Sequence, residues 1–240
     1  MYILKQHFYL CFALLFLFLF NCKHSTYAQP TDKPKARYNY LLYLPKDYVE
    51  KTVPYPVIIY LHGSSHRGND LNKLKGYGLP YVIDKGKEFN FIVVSPQCPD
   101  GKYWSSENWF DSLYDELKSK YRIDTDRVYL TGISLGGYGT FIAGIDHADK
   151  LAAIVPLCGG VNDSDMTRLC STLKKMPIWT FHGTADNIIP ISETERVIKV
   201  LEQCKGNVQF TRLQNEGHTI QYLYEKDDIY DWMLKWKRGK

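Results

Sequence analysis

Three residues far apart in a 240-residue chain combine into one chemistry: Ser134, Asp186 and His218. A serine hydroxyl is a poor nucleophile at neutral pH. It needs a base to take its proton during attack, and an imidazole serves best when a carboxylate fixes its tautomer. Ser134 is the centre of Gly132-Ile133-Ser134-Leu135-Gly136, between an apolar run and a run of small residues. That context demands a sharp strand-to-helix reversal, with the serine at the strained apex and no room for side chains at 132 and 136. The hydroxyl is pushed out at the top of a sheet, and the neighbouring amides lie at a helix N-terminus, where peptide dipoles favour developing negative charge. Asp186 follows Phe181-His182-Gly183, and His218 follows Gly217 in a late loop.

Other residues compete for these roles. His62 and His182 each precede a glycine at a strand end and read as loop-orienting residues. His66 lies in a polar loop, and His147 ends a helix near Asp146 and Asp149. Asp163, Asp165 and Glu216 read as helix caps or surface charges. His182 and Asp186 are metal-ligating types, but no third ligand has matching spacing, so no metal or other cofactor is expected. An oxyanion needs two fixed donors. The Leu135 N–H is the first, and the N–H of Ser64 or Ser65, after His62-Gly63, is the second. Tyr103, Trp104 and Trp109 surround a loop above the strand ends; Trp104 could stack on a sugar or aryl ring or anchor the loop, whereas Trp109 fits a buried helix face.

Alternating strands and helices must position these groups. The continuous apolar run at 57–61 reads as a strand buried on both faces, and 91–94, 127–131, 151–157 and 177–181 read as further strands. The segment 208–213 alternates like a late strand, and 38–44 suits an exposed antiparallel edge strand stopped by Pro45. Helices are expected at about 80–88, 105–121, 136–148, 164–173, 192–202 and 222–236, with Ser192 and Glu195 in capping-box spacing. This is an α/β chain with a mostly parallel, doubly wound sheet, in which ligands bind beyond the carboxyl ends of the strands. Ser134, Asp186 and His218 all fall just past such ends.

Lys5, the apolar run 8–20 and the small residues at 26 and 28 read as a secretory signal, residues 1–28. The run is shorter than the roughly 20 residues of a membrane span. Lipid anchoring at Cys22 is the alternative, though Phe20-Asn21 before it suits that processing poorly. Residues 29–37 then form a flexible lead-in to one domain, 38–240, and the product is secreted or periplasmic without stable membrane insertion. Removing Lys5 and Lys23 takes the net charge from +4 to +2, too small a field to imply nucleic acid. Cys98, Cys158, Cys170 and Cys204 remain, in an oxidising compartment, as structural disulfides or small buried residues whose pairing the sequence leaves open. With 19 tyrosines, aromatic content reaches 15%, enough to furnish a ligand surface as well as a core.

Leu61-His62-Gly63-Ser64, Arg67-Gly68-Asn69-Asp70, Ser95-Pro96-Gln97, Thr131 to Gly137, His182 to Asp186 and Gly217-His218 together resemble the secreted α/β-hydrolases of the esterase D, feruloyl esterase and predicted-peptidase type. The resemblance covers nearly the whole chain after residue 28. It implies an α/β-hydrolase fold without a large lid and a cofactor-free serine esterase, often acting on acetyl or feruloyl esters of plant polysaccharide. The substrate would be a small-molecule or polysaccharide-linked ester. A peptidase with the same triad and a non-catalytic secreted carbohydrate-binding protein are the alternatives.

Overall fold

The structure, a computed structural model, describes Tyr27 and residues 37–239. The expected signal, Cys22 and nearly all of the lead-in lie outside the described residues. Seven strands form one sheet: β1 (Tyr40–Tyr43), β2 (Tyr55–Leu61), β3 (Ile92–Pro96), β4 (Ile123–Ile133), β5 (Ala153–Leu157), β6 (Ile178–Gly183) and β7 (Val208–Leu213). Their order is β1-β3-β2-β4-β5-β6-β7. β1 runs antiparallel to β3, and every other neighbour is parallel.

Strand periodicity sorts the apolar side chains into two cores. Val57, Ile59 and Leu61 of β2 join Ile92, Val94, Val128 and Leu130 on one face, while Ile58, Tyr60, Val93 and Tyr129 face the other way. The first face is covered by α2 (Trp109–Lys120), α3 (Leu135–Asp146), α5 (Leu169–Leu173) and α6 (Ser192–Gln203). The second is covered by α1 (Gly78–Asp84) and α7 (Asp228–Leu234). A short α4 (Asp163–Met166) precedes α5. Each apolar side chain removed from water contributes roughly 1.5–3 kcal/mol, so helices on both faces are what make the continuous apolar strands stable. Among the described residues no helix is long and apolar enough to cross a membrane.

From β2 the chain moves to one side of the sheet, to β3, and from β4 to the other, through β5, β6 and β7. The switch point therefore lies between the carboxyl ends of β2 and β4, where such sheets open a crevice. Gly63 and Ser134 stand at its two lips.

Several local expectations change. β1 is an edge strand but is buried along its whole length, because its side chains are divided between the two cores. The Tyr40 hydroxyl donates to Glu116 Oε1 of α2 at 2.7 Å. α2 starts at Trp109 rather than 105, where the Asn108 side chain accepts from the Asp111 N–H. Ser192 does not cap α6: Ile191 occupies that position, and the Glu195 carboxylate pairs instead with Arg212 of β7 at 3.0 Å. The segment 164–173 divides into α4 and α5. The closing helix also breaks in two, a 3-10 turn at Gln221–Glu225 and then α7, with Lys226 extended between them. In that turn Tyr224 is drawn into the core, its hydroxyl 2.9 Å from Thr131 Oγ1.

Cys170 and Cys204 form a disulfide that ties α5 to the end of α6, while Cys98 and Cys158 are free and buried. Both roles expected for the cysteines are present. Closing a loop with a sequence separation of 34 removes denatured-state entropy worth about 3–4 kcal/mol. The double variant Cys170→Ala/Cys204→Ala should lose stability of that order in urea unfolding while keeping the native circular dichroism spectrum.

Candidate active site

Backbone contact shapes the turn at Ser134. A Cβ on Gly136 would lie 1.9 Å from the Leu61 carbonyl oxygen, and one on Gly132 would lie 2.5 Å from the Gly136 oxygen. The chain can make this turn only without those side chains, as the spacing predicts. Ser134 is consequently held at φ 61°, a left-handed conformation costly for a residue with a side chain. Its N–H donates to Leu157 O at 3.0 Å, and its carbonyl accepts from Tyr138 N at 3.1 Å. The side chain then faces His218, with Oγ 2.9 Å from Nε2.

His218 Nδ1 lies 2.7 Å from Asp186 Oδ2. A carboxylate only accepts, so Nδ1 carries the proton and Nε2 presents its lone pair to the serine hydroxyl. The three residues predicted from spacing are thus brought into one hydrogen-bonded chain from just past the ends of strands β4, β6 and β7. The loops bearing acid and base are stitched together: Ala185 N donates to Glu216 O and Thr184 N to Leu213 O, both at 2.9 Å. Asn215 N also donates to Thr184 Oγ1 at 2.9 Å.

Asp186 is enclosed by donors. Its Oδ1 accepts from the N–H groups of Ile188 and Ile189, each at 2.9 Å. Burial pushes its carboxyl up, but His218 and these two amides outweigh burial and hold it below the usual carboxylate value. The acid is therefore ionised wherever an imidazole titrates. Cys158 Sγ, the Asp186 carboxylate and the His218 imidazole lie within 4.8 Å of one another. The Asp186 and His218 atoms are already committed to hydrogen bonds, and burial raises the Cys158 thiol far above its ordinary range. This grouping is the acid's surroundings rather than a metal centre.

The second lip is the turn after β2. Ser64 opens a short 3-10 turn, Ser64–His66, and a Cβ on Gly63 would lie 3.5 Å from Ser134 Cβ. The start of the turn thus rests against the serine at Gly63. The Ser65 hydroxyl is turned to His66 Nδ1 at 3.0 Å. Leu135 is the first residue of α3, where backbone N–H groups lack intrahelical acceptors.

His62 holds that turn in place. Its Nε2 accepts from Cys98 N at 3.0 Å, and its Nδ1 donates to Gly63 O at 2.7 Å. One donor and one acceptor suit a neutral ring, and burial lowers its pKa to about 4. Trp104 has the same structural task. It is 3% exposed, its Nε1 donates to His62 O at 3.1 Å, and its own carbonyl accepts from Trp109 Nε1 at 2.7 Å. A stacking platform needs an open face, so Trp104 is the loop anchor, and Tyr103, 57% exposed, is the open ring nearby. A cleft of about 260 Å³ runs between these residues and Leu135, Tyr138 and Ile142 of α3.

Of the competitors, His147 stacks on Phe110 and lies 3.3 Å from Asp111, while Asp163 and Asp165 pair with Arg196 and Arg168. Sequence reasoning missed the second histidine on the acid: His182 Nε2 lies 3.2 Å from Asp186 Oδ2. The i, i+4 spacing of the pair was the available signal.

A family model described as phospholipase/carboxylesterase matches residues 105–232. The chain belongs to that family. Among curated relatives, it is 34% identical over 115 residues to a bifunctional acetylxylan esterase/xylanase of Neocallimastix patriciarum, covering 45% of this chain and 16% of the relative. It is 28% identical over 169 residues to feruloyl esterase D of Neurospora crassa, covering 64% and 54%. The chain therefore spans about half or less of the length of these relatives. A solved thermostable esterase is 27% identical with a TM-score of 0.68, covering 83% of this chain and 59% of that one. A carbohydrate esterase from gut microbiota, 18% identical with a TM-score of 0.67, covers 88% and 97% and shares the fold. The family member described here thus has the α/β-hydrolase fold, and its described residues carry no large lid.

Trp104→Phe keeps a ring but leaves the buried His62 carbonyl without its donor. The loss should be about 1–3 kcal/mol in urea unfolding, with KM for a small ester unchanged. A sugar platform would give the opposite pattern, unchanged stability and a raised KM on acetylated xylan.

Proposed function

We propose that this chain is a secreted serine carboxylic-ester hydrolase that works through an acyl-enzyme on acetyl or feruloyl esters of carbohydrate. The observation that carries the reading is the continuous chain Ser134 Oγ, His218 and Asp186, with links of 2.9 and 2.7 Å. Family membership supports ester chemistry, and the names of the acetylxylan and feruloyl esterase relatives support a carbohydrate-linked substrate. The signal-like leader and the Cys170–Cys204 disulfide support export.

In this mechanism Ser134 Oγ attacks the ester carbonyl carbon while its proton passes to His218 Nε2. The negative charge that gathers on the carbonyl oxygen is met by the N–H of Leu135 and that of Ser64 or Ser65; such a donor typically contributes roughly 3–4 kcal/mol. The tetrahedral adduct collapses, the carbon–oxygen bond to the alcohol breaks, and His218 returns the proton to the departing oxygen. Water then attacks the acyl-enzyme with His218 again as base, releasing the acid and restoring Ser134. Asp186 stays ionised and compensates the imidazolium of each step.

Ser134→Ala should lower kcat on p-nitrophenyl acetate by about 10⁴-fold or more. Undiminished turnover by that variant, or none by the unaltered protein, would sink the esterase reading. Asp186→Asn preserves shape but not charge and should cost about 10⁴ in kcat. Methyl ferulate, acetylated xylan and a peptide amide assayed side by side should give turnover on the esters; exclusive turnover of the amide would make the protein a peptidase.

A further inference from the structure

The acid in the site faces two imidazoles, and the second one has an unusual set of neighbours. His182 is fully buried. Its Nδ1 lies 2.7 Å from Thr194 Oγ1, and its Nε2 lies 2.9 Å from the Ile189 carbonyl oxygen and 3.2 Å from Asp186 Oδ2. Thr194 Oγ1 in turn is hydrogen-bonded to the Gly159 carbonyl oxygen. A carbonyl only accepts, so the single hydroxyl proton of Thr194 is committed to Gly159. Nδ1 must then donate to Thr194. At the other end of the ring Nε2 faces two more acceptors and no donor. A neutral imidazole carries one N–H and leaves one ring nitrogen facing an acceptor without a proton; the imidazolium has an N–H on each, with the Nε2 proton shared between Ile189 O and Asp186 Oδ2. His62 makes the contrast, with one donor and one acceptor that suit a neutral ring.

We propose that His182 is a positioning residue that binds Asp186 Oδ2 as a second imidazole, so that His182 and His218 compete for one carboxylate oxygen. The inference rests on the assignment of Ser134, Asp186 and His218 proposed above. A proton on His182 draws on the same oxygen that His218 uses and repels a second positive charge beyond it. The titratable and charged groups around the ring are Asp186, just after β6, and His218 from the loop after β7, with Cys158, just past β5, beside the same carboxylate. The α6 side presents the neutral Thr194. Burial pulls His182 below the ordinary imidazole value against the opposing pull of the Ile189 carbonyl and Asp186.

The test is kcat/KM for p-nitrophenyl acetate from about pH 5 to 8, the range in which imidazoles titrate, in the unaltered protein, His182→Gln, Thr194→Val and Thr194→Ser. His182→Gln should move the acid limb up by about 0.5–1 pH unit, a 3–10-fold loss at low pH relative to the plateau, with KM unchanged. Thr194→Val removes the acceptor for Nδ1 and should move the limb in the same direction, while Thr194→Ser keeps the acceptor and the original limb. If His182→Gln does not fold, the Thr194 pair decides alone. An active His182→Gln or Thr194→Val whose plateau falls while its acid limb stays in place would overturn the proposal and leave His182 a packing residue. Absence of turnover in the unaltered protein at every pH would be a failure of the esterase reading itself.

Discussion

The site depends on one close approach, the carboxyl end of β2 against the first turn of α3. With a would-be Cβ of Gly136 only 1.9 Å from the Leu61 oxygen, two backbones touch with nothing between them. That contact bends the chain at Ser134 into a left-handed conformation that costs of order 1–3 kcal/mol. The hydrogen bonds from Ser134 N to Leu157 O and from Tyr138 N to Ser134 O keep it there. The same contact lays the turn after Gly63 beside the serine. One steric constraint therefore sets both the nucleophile and the loop proposed to receive the oxyanion.

The remaining groups are fixed by hydrogen bonds between loops. Asp186 is anchored by two amides of its own loop, and its loop is joined to the one bearing His218 through Ala185 and Glu216. On the other side, Trp109 holds Trp104, Trp104 holds His62, and His62 holds Gly63. Each link is buried, where an unpaired polar group costs more than it would at the surface.

The parts of this arrangement legible in the sequence are those with local causes. Gly132, Ser134 and Gly136 announce their turn because a turn of that kind excludes side chains, and apolar runs announce strands buried on both faces. The order of Ser134, Asp186 and His218 was readable because each falls just past a strand end. What the sequence hid depends on distant partners. Glu195 looks like a capping residue until β7 brings Arg212 beside it. Trp104 looks like a ligand platform until the His62 carbonyl is seen to accept its N–H. The helix expected at 222–236 is broken where Tyr224 is drawn down to Thr131. His182 reads as a loop histidine, and only the fold shows that every atom facing its Nε2 is an acceptor.

The central claim is that Ser134 is the atom donor to the carbonyl carbon. Acid-quenched protein taken during steady turnover of p-nitrophenyl acetate, digested and sequenced by mass spectrometry, tests it directly. The account predicts an acetyl group on Ser134 that disappears when the ester is exhausted. Steady turnover with Ser134 unmodified, or a transient acetyl group confined to another residue, would contradict it.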